Sequence, residues 1–272
     1  MKINGETKLI GFFGSTFRTS KMYAMYNSVF ENLRLNYVYV PFVVEDVKKG
    51  VEAIKNLGIH AVGVTIPYKV SIVKYLDELD ADAKKIGAVN AVINVNGKLI
   101  GSNTDGHGGV RALKEKTVIK GKKVILLGAG GAARALAFAV KDESGELTIL
   151  NRTVDEAEQL AKAVGCKFDG LEKILDLIPT TNILINSTSV GMAPEINQSL
   201  VNEKLLHKGL TVMDIVSNPR ETKLLREAKK AGCQIVFADR MLLWQGVLKF
   251  ELYTGTKPPI KIMEKQLQIT NL

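Results

Sequence analysis

The chain reads as an α/β protein of two domains, an N-terminal α/β domain and a doubly wound Rossmann-type domain. Three observations predict this: a strand-helix alternation over residues 8–66, a second alternation from residue 124 onward, and the loop Gly128-Ala129-Gly130-Gly131-Ala132-Ala133 set between a buried strand and a helix. At 272 residues the chain exceeds the usual span of one hydrophobic core, so two cores fit its length.

Residues 8–13 form an apolar run that predicts the first strand, and Met22, Met25, Tyr26, Val29, Phe30 and Leu33 then recur at helical spacing. A second strand over 37–40 ends at Pro41. Val47, Val51, Ile54 and Leu57 mark a helix that Gly58 stops. A strand over 61–66 completes a rhythm that implies a parallel sheet. Asn96-Gly97, between runs at 91–95 and 98–102, is a hairpin signal, and a helix capped by Thr104 or Asp105 follows. Past a lysine-rich connector come strand 124–127, helix 132–140, strand 147–151 and helix 155–164, with further strands at 183–186, 211–215 and 234–237. This second run is a doubly wound nucleotide-binding pattern. Residues 241–253 and 263–272 read as helices that return to the first domain. The predicted domains are 1–104, joined by 241–272, and 105–240.

With 46% apolar and 24% charged residues the composition is that of an ordinary globular protein. Its apolar runs stop well short of the roughly 18 residues that span a bilayer, so no membrane partner is expected. The start, Met1-Lys2-Ile3-Asn4-Gly5-Glu6, lacks an export segment, which makes the cytoplasm the expected compartment. Cys166 and Cys233 suggest neither a redox pair nor a metal site, and His60, His107 and His207 form no ligand pair at helical spacing. No metal is expected. A net charge of +9 could serve nucleic acid, but the lysines are dispersed and no aromatics are interleaved for base stacking. The basic surface instead favours an anionic cofactor and substrate. The oligomeric state stays open, a homodimer included.

In the glycine loop, Gly128 permits a tight turn, Gly130 lets the backbone approach a pyrophosphate, and Ala133 is small enough for helix-on-strand packing. The following strand ends at Leu150-Asn151-Arg152-Thr153, where an NAD-preferring protein carries an acid for the ribose 2′-hydroxyl. An amide, a guanidinium and a hydroxyl suit a 2′-phosphate instead. A charged hydrogen bond is worth about 1.5–3 kcal/mol, so Arg152 alone favours NADP roughly tenfold to a hundredfold. The expected cofactor is NADP, with NAD as the alternative.

Reducing a ketone also requires a proton on oxygen. Lys69, in Thr65-Ile66-Pro67-Tyr68-Lys69, is the candidate carrier, and Asp105, in Asn103-Thr104-Asp105, is its candidate orienting partner. Taken singly, Lys69 reads better as a surface lysine at a helix start and Asp105 as an N-cap. Their company weighs against that: Ser20, Thr65, Asn90, Asn103, Thr104 and Gln245 are polar anchors for a hydroxylated ligand, and Gln245 lies in the otherwise apolar Met241-Leu242-Leu243-Trp244-Gln245.

Together these residues resemble the shikimate dehydrogenase family along essentially the whole chain. The likeness rests on Val64-Thr65-Ile66-Pro67-Tyr68-Lys69, Gly87-Ala88-Val89-Asn90, Asn103-Thr104-Asp105-Gly106, Gly128-Ala129-Gly130-Gly131-Ala132, Asn151-Arg152-Thr153, Asn186-Ser187-Thr188-Ser189-Val190-Gly191-Met192 and Met241-Leu242-x-x-Gln245. The resemblance implies reversible NADP-linked reduction of 3-dehydroshikimate to shikimate, a step toward chorismate and the aromatic amino acids, with Lys69 and Asp105 as the catalytic pair. It implies that Thr65, Asn90 and Gln245 hold the ring hydroxyls, that Ser20 contacts the carboxylate, and that Ser187, Thr188 and Met192 line the cofactor site with the glycine loop and Asn151, Arg152 and Thr153.

The chain departs from the family at four places. The family's N-terminal signature has a second carboxylate-binding serine where Met22 stands; the usual asparagine before Val64 is Gly63, and the usual tyrosine before Asn218-Pro219 is Ser217. Losing one such contact costs about 1–3 kcal/mol, unless Thr19, Lys21 or Tyr23 replaces the donor. Glu156 occupies a position where NADP-specific members carry a second base, so a modest NADP preference is expected. Two rivals follow: the same fold acting on quinate or another cyclic hydroxy acid, and a non-catalytic dinucleotide-binding regulator.

Overall fold

The computed structural model describes residues 3–15 and 20–268. Thr19, one of the three candidate replacement donors, and residues 269–272 of the predicted last helix lie outside them. The chain divides into two compact units, Met1–Thr104 with Gln245–Leu272, and Asp105–Trp244.

The first unit contains β1 (Lys8–Gly14), α1 (Lys21–Asn32), β2 (Tyr37–Val43), α2 (Val47–Asn56), β3 (Ala61–Val64), α3 (Tyr68–Ser71), β4 (Glu78–Leu79), α4 (Ala81–Ile86), β5 (Ala91–Val95) and β6 (Lys98–Ser102). Its sheet runs β2-β1-β3-β5-β6-β4. β1 pairs parallel with β2 and β3, but the hairpin makes β5 antiparallel to both β3 and β6, so the sheet is mixed rather than parallel. β2 continues through Pro41 to Val43, past its expected end. As a sheet edge it can turn the proline's missing N–H outward without losing a ladder bond. β3 instead stops at Val64, two residues early, because the Tyr68 N–H donates to the Thr65 carbonyl at 2.9 Å and starts a turn. Phe13, Val62, Val64, Val92 and Leu99 build one core.

The second unit contains α5 (Asp105–Lys114), β7 (Lys123–Leu127), α6 (Gly131–Asp142), β8 (Glu146–Asn151), α7 (Val154–Val164), β9 (Lys167–Gly170), α8 (Ile174–Leu177), β10 (Ile183–Asn186), β11 (Thr211–Asp214), α9 (Lys223–Lys230) and β12 (Gln234–Val236). All its strands are parallel, in the order β12-β11-β10-β7-β8-β9. Chain order reverses between β7 and β10, which defines the doubly wound fold and opens a crevice beyond their carboxyl ends. Apolar residues cover both faces: Val124, Leu126, Leu147 and Ile149 on one, Ile125, Leu127, Leu150 and Leu184 on the other.

The 17-residue α10 (Ala238–Thr254) carries the chain back into the first unit, where α11 (Ile260–Leu267) follows. There Phe250 stacks on Phe30 at 5.3 Å, and the Tyr26 hydroxyl donates to the Gly246 carbonyl at 2.9 Å. No helix among the described residues is long and apolar enough to cross a membrane.

Candidate active site

In the first unit the candidate residues gather where β3 and β6 end. The Asn90 N–H donates to the Ser102 carbonyl at 3.0 Å and its carbonyl accepts from the Val64 N–H at 2.8 Å, so Asn90 bridges the two strand ends. Its buried amide then braces the turn into α5: the Thr104 N–H donates to Oδ1 at 3.0 Å, and Nδ2 donates to the Thr104 hydroxyl at 3.0 Å. Thr104 Oγ1 in turn donates to the Gln245 carbonyl at 3.1 Å, bringing α10 to the same rim. Asn103 Nδ2 donates to the Ala88 carbonyl at 3.0 Å.

Lys69, half-buried in α3, joins the cluster through its backbone. Its carbonyl accepts from the Val89 N–H at 2.7 Å, one residue from Asn90. Thr65 lies half-buried in the turn just before α3. Ser20 has a structural duty as the N-cap of α1, accepting from the Met22 N–H at 3.2 Å. Asp105 is the first residue of α5 and falls in the second unit.

Two departures acquire a physical shape. Met22 is buried, with its sulfur 3.9 Å from Gln245 Nε2, so a thioether stands against the amide where the family carries a hydroxyl. A Cβ on Gly63 would meet the Tyr39 hydroxyl at 3.0 Å and the Tyr253 hydroxyl at 3.5 Å. Two tyrosines therefore occupy the room an asparagine would need, and the buried Tyr253 oxygen has no hydrogen-bond partner among the described residues. Ser217 is exposed in the loop after β11.

In the second unit the site is mostly backbone. Gly128 follows β7 at φ +104°, a conformation that favours glycine, and a Cβ there would lie a tight 3.0 Å from both Ser187 Oγ and Thr188 Cγ2. Above Gly130 and Gly131 the space is open, and α6 follows an N-cap, Gly130, that offers no side-chain hydrogen bond, with no acid in the first turn. Its first N–H groups keep their unmet donors and the positive end of the helix dipole for an anion, which is the test a pyrophosphate must pass. Ala133 is fully buried against the sheet.

Asn151 ends β8, its Nδ2 donating to the Thr153 carbonyl at 3.0 Å and to Glu156 Oε2 at 2.8 Å. Arg152 and Thr153 are exposed beside it. Beyond β10, Ser187 Oγ donates to the Leu127 carbonyl at 2.5 Å, tying the second crevice loop to the first, while Met192 is largely exposed.

Asp214 is a residue that motif reading missed. Fully buried at the end of β11, it accepts from Asn186 Nδ2 at 3.0 Å, the Val216 N–H at 3.0 Å and the Thr222 hydroxyl at 2.7 Å. Asn186 Oδ1 then accepts from the Thr188 N–H and hydroxyl, fixing the crevice loop. Burial pushes the Asp214 carboxyl up while the three donors pull it down. An acid closing an apolar strand was the available signal.

A parallel sheet with a glycine loop at its topological switch point, carried in one chain with a second α/β unit that gathers a lysine and buried amides at its strand ends, defines a dinucleotide-binding protein of the two-unit oxidoreductase type. Family models described as the shikimate dehydrogenase substrate binding domain, shikimate/quinate 5-dehydrogenase and the shikimate 5′-dehydrogenase C-terminal domain match residues 12–92, 111–231 and 240–268. The chain belongs to the shikimate dehydrogenase family. It is 43% identical to the shikimate dehydrogenase (NADP(+)) of Methanobrevibacter smithii over 98% of this chain and 99% of that one. A crystal structure of a shikimate dehydrogenase in complex with NADP+ superposes with a TM-score of 0.92 at 42% identity, covering 99% of this chain and 98% of that one. The shikimate 5-dehydrogenase of Listeria monocytogenes, solved with shikimate and NAD, gives 0.92 at 35% identity, covering 98% of each chain.

Proposed function

We propose that this chain catalyses the reversible NADP-dependent reduction of 3-dehydroshikimate to shikimate, with the first unit binding substrate and the second binding the dinucleotide. The observation that carries this reading is the open cradle over Gly130 and Gly131, uncapped and free of acids, in a chain so similar along its length to a relative named for NADP. The cofactor supplies a hydride when bound. Gly128, Ala129, Gly130, Gly131 and Ala132 hold its pyrophosphate, Asn151, Arg152 and Thr153 its adenosine end, and Ser187, Thr188 and Met192 its nicotinamide end.

Lys69 delivers a proton to the ketone oxygen during reduction and recovers it from the hydroxyl in the reverse direction. Asp105 orients that ammonium and binds a neighbouring hydroxyl. Thr65, Asn90 and Gln245 fix the ring, and Ser20 meets the carboxylate. The partner is thus a small cyclic hydroxy acid, handled in the cytoplasm.

A second reading, quinate or another shikimate-like acid as preferred substrate, is favoured by Met22 against Gln245 and by the filled space at Gly63. Purified protein is assayed by dinucleotide absorbance with shikimate and with quinate, each with NADP and with NAD. The leading reading expects shikimate with NADP to give the highest kcat/KM. Quinate ahead of shikimate moves the assignment to the second reading, and tight NADPH binding without turnover on any ring acid leaves a non-catalytic regulator.

A further inference from the structure

The N-terminal ends of β7, β8 and β9 form the sheet edge opposite the glycine loop. Lys123, Glu146 and Lys167 begin those strands. With Lys141 of α6, Thr148 of β8 and Cys166 they line a cavity of about 520 Å³. The six residues of β8 rise about 3.3 Å each, so its far end, where Asn151 sits, is roughly 17–20 Å away.

Three lysines line this cavity with one glutamate, Lys123 and Lys167 exposed and Lys141 half-buried, so the lining carries a net positive charge that attracts an anion. Among the described residues no ion pair forms on Lys123, Lys141 or Lys167, and Lys123 Nζ donates only to the Thr180 hydroxyl at 3.4 Å. The half-buried Thr148 hydroxyl likewise has no hydrogen-bond partner among the described residues. Leu147 and Leu177 add apolar wall. The volume lies within the range of about 300–1,000 Å³ typical of small-molecule sites and far exceeds a bare oxyanion.

We propose that this cavity binds a small phosphate monoester, its phosphoryl group among Lys123, Lys141 and Lys167 and its organic body on the apolar wall. Three lysines less one glutamate leave two positive charges, which match a phosphate dianion, and ammonium groups bind phosphate as point charges without requiring a planar fork. Thr148 supplies a neutral donor or acceptor for the body. The site is separate from the dinucleotide crevice, so both ligands are held at once.

The test uses the full chain saturated with NADP and titrated calorimetrically with phenyl phosphate and with inorganic phosphate. Cys166 is the built-in reporter: it lines the cavity, and burial pushes its thiol up to about 11, so iodoacetamide labels it slowly, at a rate a ligand over it lowers further. Labelling is read on the isolated Cys166 peptide and compared with and without ligand within each variant, since Lys141 itself influences the thiol.

Phenyl phosphate should bind one equivalent with NADP present, bind more tightly than inorganic phosphate, and slow Cys166 labelling. The Lys141→Ala/Lys167→Ala variant should bind about tenfold or more weakly while keeping wild-type turnover and Tm, and Thr148→Val should weaken binding less. Absence of heat and of protection overturns the proposal, as does unchanged affinity in the double variant. Equal affinity for the two probes removes the organic body from the assignment.

Discussion

The candidate binding regions of the two units are built from different material. In the second unit the cradle is backbone, open above Gly130 and Gly131 and turned by Gly128, where a Cβ would be strained. In the first unit side chains brace the rim: the Asn90 amide binds Thr104, whose hydroxyl donates to the Gln245 backbone carbonyl. A backbone site is damaged by adding atoms, whereas a side-chain site is damaged by removing or exchanging them. The chemistry follows the same division: a nucleotide's phosphates need donors that any backbone offers, while a hydroxylated ring needs particular groups at particular corners.

The sharpest break should come on the side-chain half. Lys69→Ala is expected to lower kcat by about 10²–10⁴-fold, because the proton loses its carrier, while NADPH affinity measured by fluorescence titration stays within a factor of about two. Turnover close to wild type would remove Lys69 from the mechanism. The matching break on the backbone half is Gly128→Ala, which adds atoms where φ is +104° and Ser187 and Thr188 already crowd. Strain of about 1–3 kcal/mol should weaken NADPH roughly tenfold to a hundredfold and lower Tm by several degrees. Shikimate affinity should be spared, and an equal loss of both ligands would mean general unfolding.

The same contrast explains what was legible beforehand. Gly128, Gly130 and the strand and helix flanking them announce themselves because backbone geometry restricts the residue at each position. The long helices α1, α2, α6 and α7 were readable from apolar spacing that repeats over several turns. β9 was not, because two of its four residues are exposed and it has no period to display. β4 and α4 are too short to establish one. Pro41 misled by its chemistry alone, since its tolerance depends on an edge position that sheet order decides. Asn90, Thr104 and Gln245 were individually ambiguous between cap, turn-former and ligand, and their hydrogen bonds become apparent only when segments 141 residues apart, Thr104 and Gln245, are brought together. Asp214 escaped for the same reason: Asn186, Val216 and Thr222 converge on it from separate segments.

Met22→Ser sharpens the comparison by restoring a hydroxyl to the side-chain half. If the thioether beside Gln245 has replaced a carboxylate donor, the exchange should lower KM for shikimate about threefold to tenfold with kcat little changed, while costing about 2–3 kcal/mol of stability through lost burial. Chemical denaturation and steady-state kinetics on one preparation separate the two effects. A raised KM for shikimate together with a lowered KM for another ring acid would show that the methionine selects substrate, which supports the second functional reading.

The smallest effect is expected where the backbone half borrows side chains. Glu156 places a carboxylate 2.8 Å from Asn151 Nδ2, so on the proposed assignment it would compete with an incoming 2′-phosphate both for a donor and through repulsion. Glu156→Lys should raise the ratio of kcat/KM for NADP to that for NAD by about threefold to tenfold, a modest gain because an exposed charge is screened by solvent and salt. Most of the gain should appear in the KM for NADP, and it should shrink as ionic strength rises because the added interaction is electrostatic. An unchanged ratio at low salt would show that Glu156 does not face the ribose, leaving Arg152 as the discriminating group.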